Sequence, residues 1–266
     1  MLIVGERINT SRHPINEAVA RRDAAAIQME VRLQMDGAAD LIDVNAGSRR
    51  DSEVEDLIWL IDLIQRAFPE VRLCIDSPNP DTMNRVLDMV RLQPMLNSTT
   101  GERSRLEAMT PVIRKRACDI VALCIDDRGI PKTAGQTVEN AVRLVSHLED
   151  LGVDRKRIYL DPVIQAVSAN TRAGVMALEA IDEIRRELDG VHIISGLSNI
   201  SFGLPRRPLV NRAFLTLAMK AGLTAAILDP SDRGLMSALK AAQVLLDQDP
   251  WCQAYTRTFR EGRLEA

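Results

Sequence analysis

Eight times along this chain a short run rich in Val, Ile and Leu stops at, or just before, an acid, an amide or a Gly-Ser turn, and an amphipathic stretch follows. The polar ends are Glu6, Asp43 with Asn45, Asp76, Asn97, Asp126, Asp161, Ser198 with Asn199, and Asp229. Counting Asn199 as the seventh, successive ends lie 21 to 38 residues apart, close to the length of one βα unit. Eight such units predict an α/β chain closed into a single-domain (β/α)8 TIM barrel. In that fold the strand ends gather at one rim, where barrels build their active sites. An open doubly wound sheet shares the alternation but wants a Gly-rich phosphate turn after its first strand, and GERIN at 5–9 is not one.

Strands are expected at about 2–5, 39–44, 71–76, 94–97, 119–125, 157–162, 191–197 and 224–229. Helices are expected at about 15–35, 54–67, 81–91, 102–116, 137–151, 173–188, 209–221 and 235–246. Pro14 suits the opening of the first helix, since a first turn leaves that N–H unpaired anyway. Asp51 and Ser52, with Glu55 three residues after the serine, resemble a capping box for the second. One domain would fill 1–266, with 250–266 as a packing tail. With only 3% aromatic residues, the core has to come from Leu, Ile, Val, Ala and Met, which suits barrel strands.

The net charge of −3, without a basic cluster, argues against a nucleic-acid partner. Cys74, Cys118, Cys124 and Cys252 form no C-x-x-C pair and have no histidine at ligand spacing, so reduced thiols in a cytoplasmic protein are expected rather than a metal or disulfide framework. No apolar run approaches a signal peptide or membrane span.

The rim residues Glu6, Asn9, Asp76, Asn97, Asp161 and Asn199 contain carboxylates, which accept hydrogen bonds, and amides, which donate and accept. Oxygen ligands suit a hard cation such as Mg²⁺ or Ca²⁺. The alternative is a heterocycle whose N–H and NH₂ edge meets a carboxylate and whose carbonyl meets a donor. A metal would prefer more charge, so the amides favour the heterocycle and no bound metal. Each position also has a plainer reading. An Asp after a strand is more often a helix N-cap than a ligand, and that reading is preferred for Asp43, Asp126 and Asp229. Asp76 and Asp161 are each followed closely by proline and stand apart from the next helix. After Asn97, the hydroxyls of Ser98, Thr99 and Thr100 are better caps than its amide. The stretch GLSNISFGLPRRPLVNR at 196–212 is longer than a plain connector needs, which makes a functional arginine there the favoured reading.

GERIN at 5–9, DVNAG at 43–47, CIDS at 74–77, LNST at 96–99, YLDP at 159–162, GLSNIS at 196–201 and RPLVNRAFL at 207–215 together resemble the methyltetrahydrofolate:corrinoid methyltransferases. That family belongs to the pterin-binding barrels, with dihydropteroate synthase and the folate module of cobalamin-dependent methionine synthase. The resemblance is collinear over essentially the whole chain. It implies that Asp76, Asn97 and Asp161 hold the pterin ring, that Asn199 contacts N5 as the catalytic residue, and that Gly196, Ser198 and Arg207 form its supporting loop. Glu6, Asn9, Asp43 and Asn45 match the rest of the polar floor. Phe202 departs from the pattern, where a polar residue is expected in some relatives.

The resemblance implies methyl transfer between N5 of methyltetrahydrofolate and the cobalt of a corrinoid. No D-x-H-x-x-G cobalamin motif occurs in the chain, so the corrinoid is expected on a separate partner protein. A homodimer is implied by the family alone. The rival readings are a dihydropteroate synthase-like enzyme, which would want a basic segment where this chain has LSN, and a non-catalytic pterin-binding protein.

Overall fold

The computed structural model describes residues 1–265. Among them, eight strands run β1 Leu2–Asn9, β2 Leu41–Asn45, β3 Arg72–Asp76, β4 Met95–Thr100, β5 Asp119–Leu123, β6 Ile158–Asp161, β7 His192–Ile193 and β8 Ala225–Leu228. All pairings are parallel, in the order β7-β6-β5-β4-β3-β2-β1-β8. The two edges then meet. Thr224 N–H donates to Ile193 O at 3.0 Å and Ile227 N–H to Ser195 O at 2.8 Å, and Gly196 bridges Ile227 in parallel, closing the barrel.

Ten α-helices among these residues coat or flank the outside: α1 His13–Ala20, α2 Ala24–Asp36, α3 Glu53–Ala67, α4 Pro80–Val86, α5 Arg103–Lys115, α6 Ala134–Asp150, α7 Ala173–Glu187, α8 Arg207–Ala221, α9 Arg233–Leu245 and α10 Gln253–Arg260. Their apolar stripes close over the outward strand residues, such as Ile42, Ile75, Leu96, Ile120 and Leu160, to form the larger core. No helix among the described residues is long and apolar enough to cross a membrane.

Strand periodicity explains the layering inside the barrel. Val4, Leu41, Cys74, Met95, Val121, Tyr159, Ile194 and Ala225, one from each strand or its direct continuation, pack together as an interior apolar ring. Because strand side chains alternate faces, the residue two positions further points inward again, one layer up. Those residues are Glu6, Asp43, Asp76, Asn97, Leu123, Asp161, Gly196 and Ile227. A polar layer thus stands on an apolar one. Below the ring, at the other end of the barrel, Arg72 Nη2 meets Asp119 Oδ2 at 2.6 Å and Gln93 Nε2 meets Asp119 Oδ1 at 2.7 Å.

Several boundaries differ from the sequence expectation. The long first helix is two: Arg22 turns left-handed at φ 53°, and Asp23 caps α2 through Ala26 N–H at 3.0 Å. Strand β1 runs on to Asn9, with an irregularity between Gly5 and Ile8, so Glu6 lies within the strand rather than at its end. Ser52 does not form a capping box, because its hydroxyl donates instead to Asp56 Oδ2 at 2.7 Å. Ser98, Thr99 and Thr100 extend β4 and cap nothing by side chain in α5. Helix α8 starts at Arg207, ahead of the expected 209.

Candidate active site at the barrel rim

The floor of the site comes from β1, β2, β3 and β4. Their register sets Asn9, Asn45, Asp76 and Asn97 side by side across four neighbouring strands. Asn45 Nδ2 donates to Asp76 Oδ2 at 2.8 Å, and Asn97 Nδ2 donates to Asp43 Oδ1 at 3.2 Å. Burial pushes the Asp43 carboxyl well above the usual range, and the neighbouring Asp76 carboxylate adds to the rise. Burial likewise raises Asp76 to about 6, against the pull of hydrogen bonds from Asn45 and Asp43. Two adjacent carboxyls without a cation between them cannot both ionise easily, so the pair holds a proton more tightly than an ordinary carboxyl does. Above this floor opens a cleft of about 430 Å³ bordered by Asn9, Asn45, Asp76, Asn97, Ser98 and Arg105, among others.

Asp161 closes the inner wall. It is buried, and Oδ1 accepts Val163 N–H at 2.7 Å while Gly196 N–H points to the same carboxylate. Burial outweighs both donors and lifts this group to about 6. Gly196 has a steric reason to be glycine: a Cβ there would come within 3.1 Å of Asn199 Nδ2. The following 3-10 turn, Leu197–Ser201, carries Asn199 out to the exposed rim.

The third wall is built by α8. Arg206 takes a left-handed conformation, φ 51°, and turns Arg207 inward as the first residue of the helix. Arg207 Nη2 donates to Ser198 O at 2.7 Å and Nε to Ser201 Oγ at 3.1 Å, while its guanidinium lies 5.8 Å from the Phe202 ring. Glu6, Ser198 and Arg207 share a second cleft of about 250 Å³ with Asp229. Burial raises Glu6 to about 7 and repulsion from Asp229 adds to it, while Arg207, Arg12 and Arg7 hold it down. Glu6 also adds a smaller upward push to the Asp43 carboxyl.

Of the polar strand ends, Asp126 lies outside this rim; the others lie in or beside it, but not all in one role. None of Asp43, Asp126 and Asp229 is an N-cap, but Asp126 and Asp229 do serve turns, the other plain reading of an acid after a strand, by accepting Arg128 N–H at 3.0 Å and Ser231 N–H at 2.9 Å. Asp43 is buried in the floor. Asp126 pairs with Arg128 at 2.9 Å and Arg143 at 3.3 Å in a turn outside the site. Asp229 binds Arg7 at 2.6 Å and Ser231, and Asp232 is what caps α9. Asn9 spends its Oδ1 on Ser11 N–H at 2.9 Å. Arg105 was not among the candidates, because it sits in the first turn of α5 rather than at a strand end. Among the described residues, no three His, Cys, Asp or Glu side chains are grouped to hold a metal ion.

Residues 5–229 match the profile of a family described as pterin binding enzyme. Over 266 aligned residues, the chain is 35% identical to a methylcorrinoid:tetrahydrofolate methyltransferase of Eubacterium limosum, covering 99% of this chain and 98% of that protein. It is 27% identical to a methionine synthase of Mycobacterium leprae over 87% of this chain but only 20% of that much longer protein. Among solved structures, a dihydropteroate synthase from Coxiella burnetii in complex with pteroic acid superposes with a TM-score of 0.70 at 19% identity over 92% of both chains, a likeness of fold.

Proposed function

The chain belongs to the pterin-binding enzymes, and from that premise we propose that it is a methyltransferase moving a methyl group between N5 of methyltetrahydrofolate and the cobalt of a corrinoid carried by a separate protein. The observation that carries the reading is the polar layer itself. Asp76 and Asp161 are desolvated carboxyls and Asn97 a half-buried amide, and among the described residues no cation is ion-paired with them. A neutral heterocycle suits such a site better than an anion or a metal does. Asp161 and Asp76 accept from the pterin's 2-amino and ring N–H groups, and Asn97 meets mixed donor and acceptor positions. Buried polar groups left unpaired by a poorer ligand give such sites discrimination of up to about 10⁴–10⁵.

Transfer from folate breaks the N5–CH₃ bond and forms a carbon–cobalt bond, with N5 keeping the electron pair and taking a proton. When bound by its own protein, the corrinoid supplies a reduced cobalt nucleophile or, in reverse, the methyl donor. This chain's part is to orient N5 and stabilise its protonated form. Asn199 does so by hydrogen bonding, since an amide cannot give up a proton near neutrality, and solvent supplies the proton. Gly196, Ser198 and Arg207 hold the turn that carries Asn199, while Glu6, Asn9, Asp43 and Asn45 complete the polar floor. The free cysteines, three of them buried, suit a reducing cytoplasm, and a homodimer follows from the family reading.

The test is to mix the protein with methyltetrahydrofolate and Co(I) cobalamin and follow the visible spectrum. Methylcobalamin appears at a rate proportional to enzyme. Tight folate binding without conversion would favour a non-catalytic pterin-binding protein instead.

A further inference from the structure

Arg105 borders the substrate cleft in an unusual electrostatic setting. Its guanidinium donates to three backbone carbonyls, Ser77 O, Pro78 O and Ser98 O, which strap the β3–α4 connection to the end of β4. Three of its five N–H donors are thus occupied, and two remain. Among the described residues no carboxylate forms an ion pair with it; Glu102 acts on it only at a distance and is itself bonded to Thr100 Oγ1 at 2.9 Å. The side chain is half-buried in the first turn of α5, where the positive end of the helix dipole disfavours a cation. Burial lowers its pKa, opposed only by Glu102. Two other arginines near the rim are paired with acids, Arg7 with Glu30 at 2.7 Å and Asp229 at 2.6 Å and Arg49 with Asp56 at 2.6 Å. Arg207, also without an ion pair among the described residues, gives its donors to Ser198 O and Ser201 Oγ and borders the other cleft, beside Glu6. A partly desolvated guanidinium at a helix start, with free donors and no counter-ion, is placed to receive an anion. The cleft it borders is also the one floored by Asp76 and Asn97.

We propose that Arg105 is the folate-tail anchor, receiving a glutamyl carboxylate of methyltetrahydrofolate after the pterin has seated on Asp76, Asn97 and Asp161. The proposal rests on the folate reading above. The division of labour follows from charge: the neutral pterin goes to the cation-free floor and the anionic tail to the unpaired cation at the cleft's edge. A carboxylate oxygen takes one of the remaining N–H donors, on Nε or Nη1, while the carbonyl strap keeps the guanidinium in place.

Binding titrations with two ligands separate the tail from the strap. One ligand is methyltetrahydrofolate, and the other is an N5-methylated tetrahydropterin that ends at C6. Arg105→Met weakens the folate by about 10-fold, as expected for losing a charge-assisted bond, and leaves the truncated pterin within twofold. Arg105→Lys, which keeps the charge but not the fork, falls between. Equal losses for both ligands would show that Arg105 acts only as a strap, and unchanged folate affinity would also overturn the proposal. Should the Met variant fold poorly, the unaltered protein still decides: added salt weakens folate binding more than truncated-pterin binding, and equal salt responses would count against the anchor. If the unaltered protein bound neither ligand, the folate reading would fall first.

Discussion

The two ends of the barrel bury acids in opposite ways. At the lower end Asp119, 4% exposed, is paired with Arg72 at 2.6 Å and Gln93 at 2.7 Å, and Arg72 Nε also reaches Gln93 O at 3.1 Å. At the upper end Asp43 and Asp161, 2% and 7% exposed, have amide, thiol or backbone donors but no cation. Burial is equal and partnering is not. A buried charge with its partner in place serves the fold, whereas buried acceptors left short of donors stand ready for a ligand that supplies them. Between the ends lies the apolar ring from Val4 to Ala225, which keeps the two systems apart.

Mutations should therefore act in opposite senses at the two ends. The largest effect is expected from Asp161→Ala, which removes acceptors for at least two pterin donors. At about 1.5–3 kcal/mol per bond to a charged group, folate affinity measured by calorimetry falls by about 100-fold or more, while thermal stability falls less than at Asp119, because only the N–H groups of Val163 and Gly196 lose an acceptor and no cation is stranded. Asp119→Ala should do the reverse, leaving Arg72 without its partner. With Arg72 a third exposed, the cost is roughly 2–3 kcal/mol of stability in denaturant unfolding, and folate affinity is unchanged. A large affinity loss there would break the comparison.

Asn199→Ala tests the reacting end of the rim. Losing one hydrogen bond to protonated N5 slows methyl transfer about 10- to 100-fold in single-turnover kinetics, with a smaller change in folate Kd. Unchanged transfer would remove the role given to this amide. The mildest effect is that of pH. Asp76 and Asp161 sit at about 6 and Glu6 at about 7, all above the ordinary carboxyl range. The folded state therefore holds protons that the unfolded state has already released, and stability without folate declines as pH rises from about 4 through about 7. Folate affinity runs the other way and falls as pH drops through about 6, because a protonated carboxyl loses its charge and turns one of its acceptor oxygens into a donor facing the pterin N–H groups. Melting curves and titrations across that range should show the crossing, and Asp76→Asn should flatten the stability slope.

The barrel was legible because the repeat is a chain-level property. Eight apolar runs with polar ends need no side-chain detail, and the period-2 step from Leu41 to Asp43 or Tyr159 to Asp161 sets the polar layer wherever the strands end. The break in the first helix was not legible, since a left-handed Arg22 leaves the hydrophobic periodicity on either side intact. The capping reading of Asp43 failed because a residue's distance from the next helix depends on where its strand stops. Asp43 has two more strand residues after it. Partnering was the least visible feature. Nothing local marks Asp229 as bound to Arg7, 222 residues away, or Arg105 as a cation without an acid. Those facts arise only once the barrel closes, and they distinguish the structural charges from those available to a substrate.

The central claim is that the cation-free floor holds a pterin and presents N5 to a nucleophile outside the chain. It is tested most directly with methyltetrahydrofolate carrying ¹³C in its N5-methyl group, followed by NMR in the presence of the protein and a reduced corrinoid. The label should leave the nitrogen-bound position and appear on cobalt, at a rate that rises with protein concentration and collapses in Asp161→Ala. A label that stays on N5 while the folate is demonstrably bound would contradict the account.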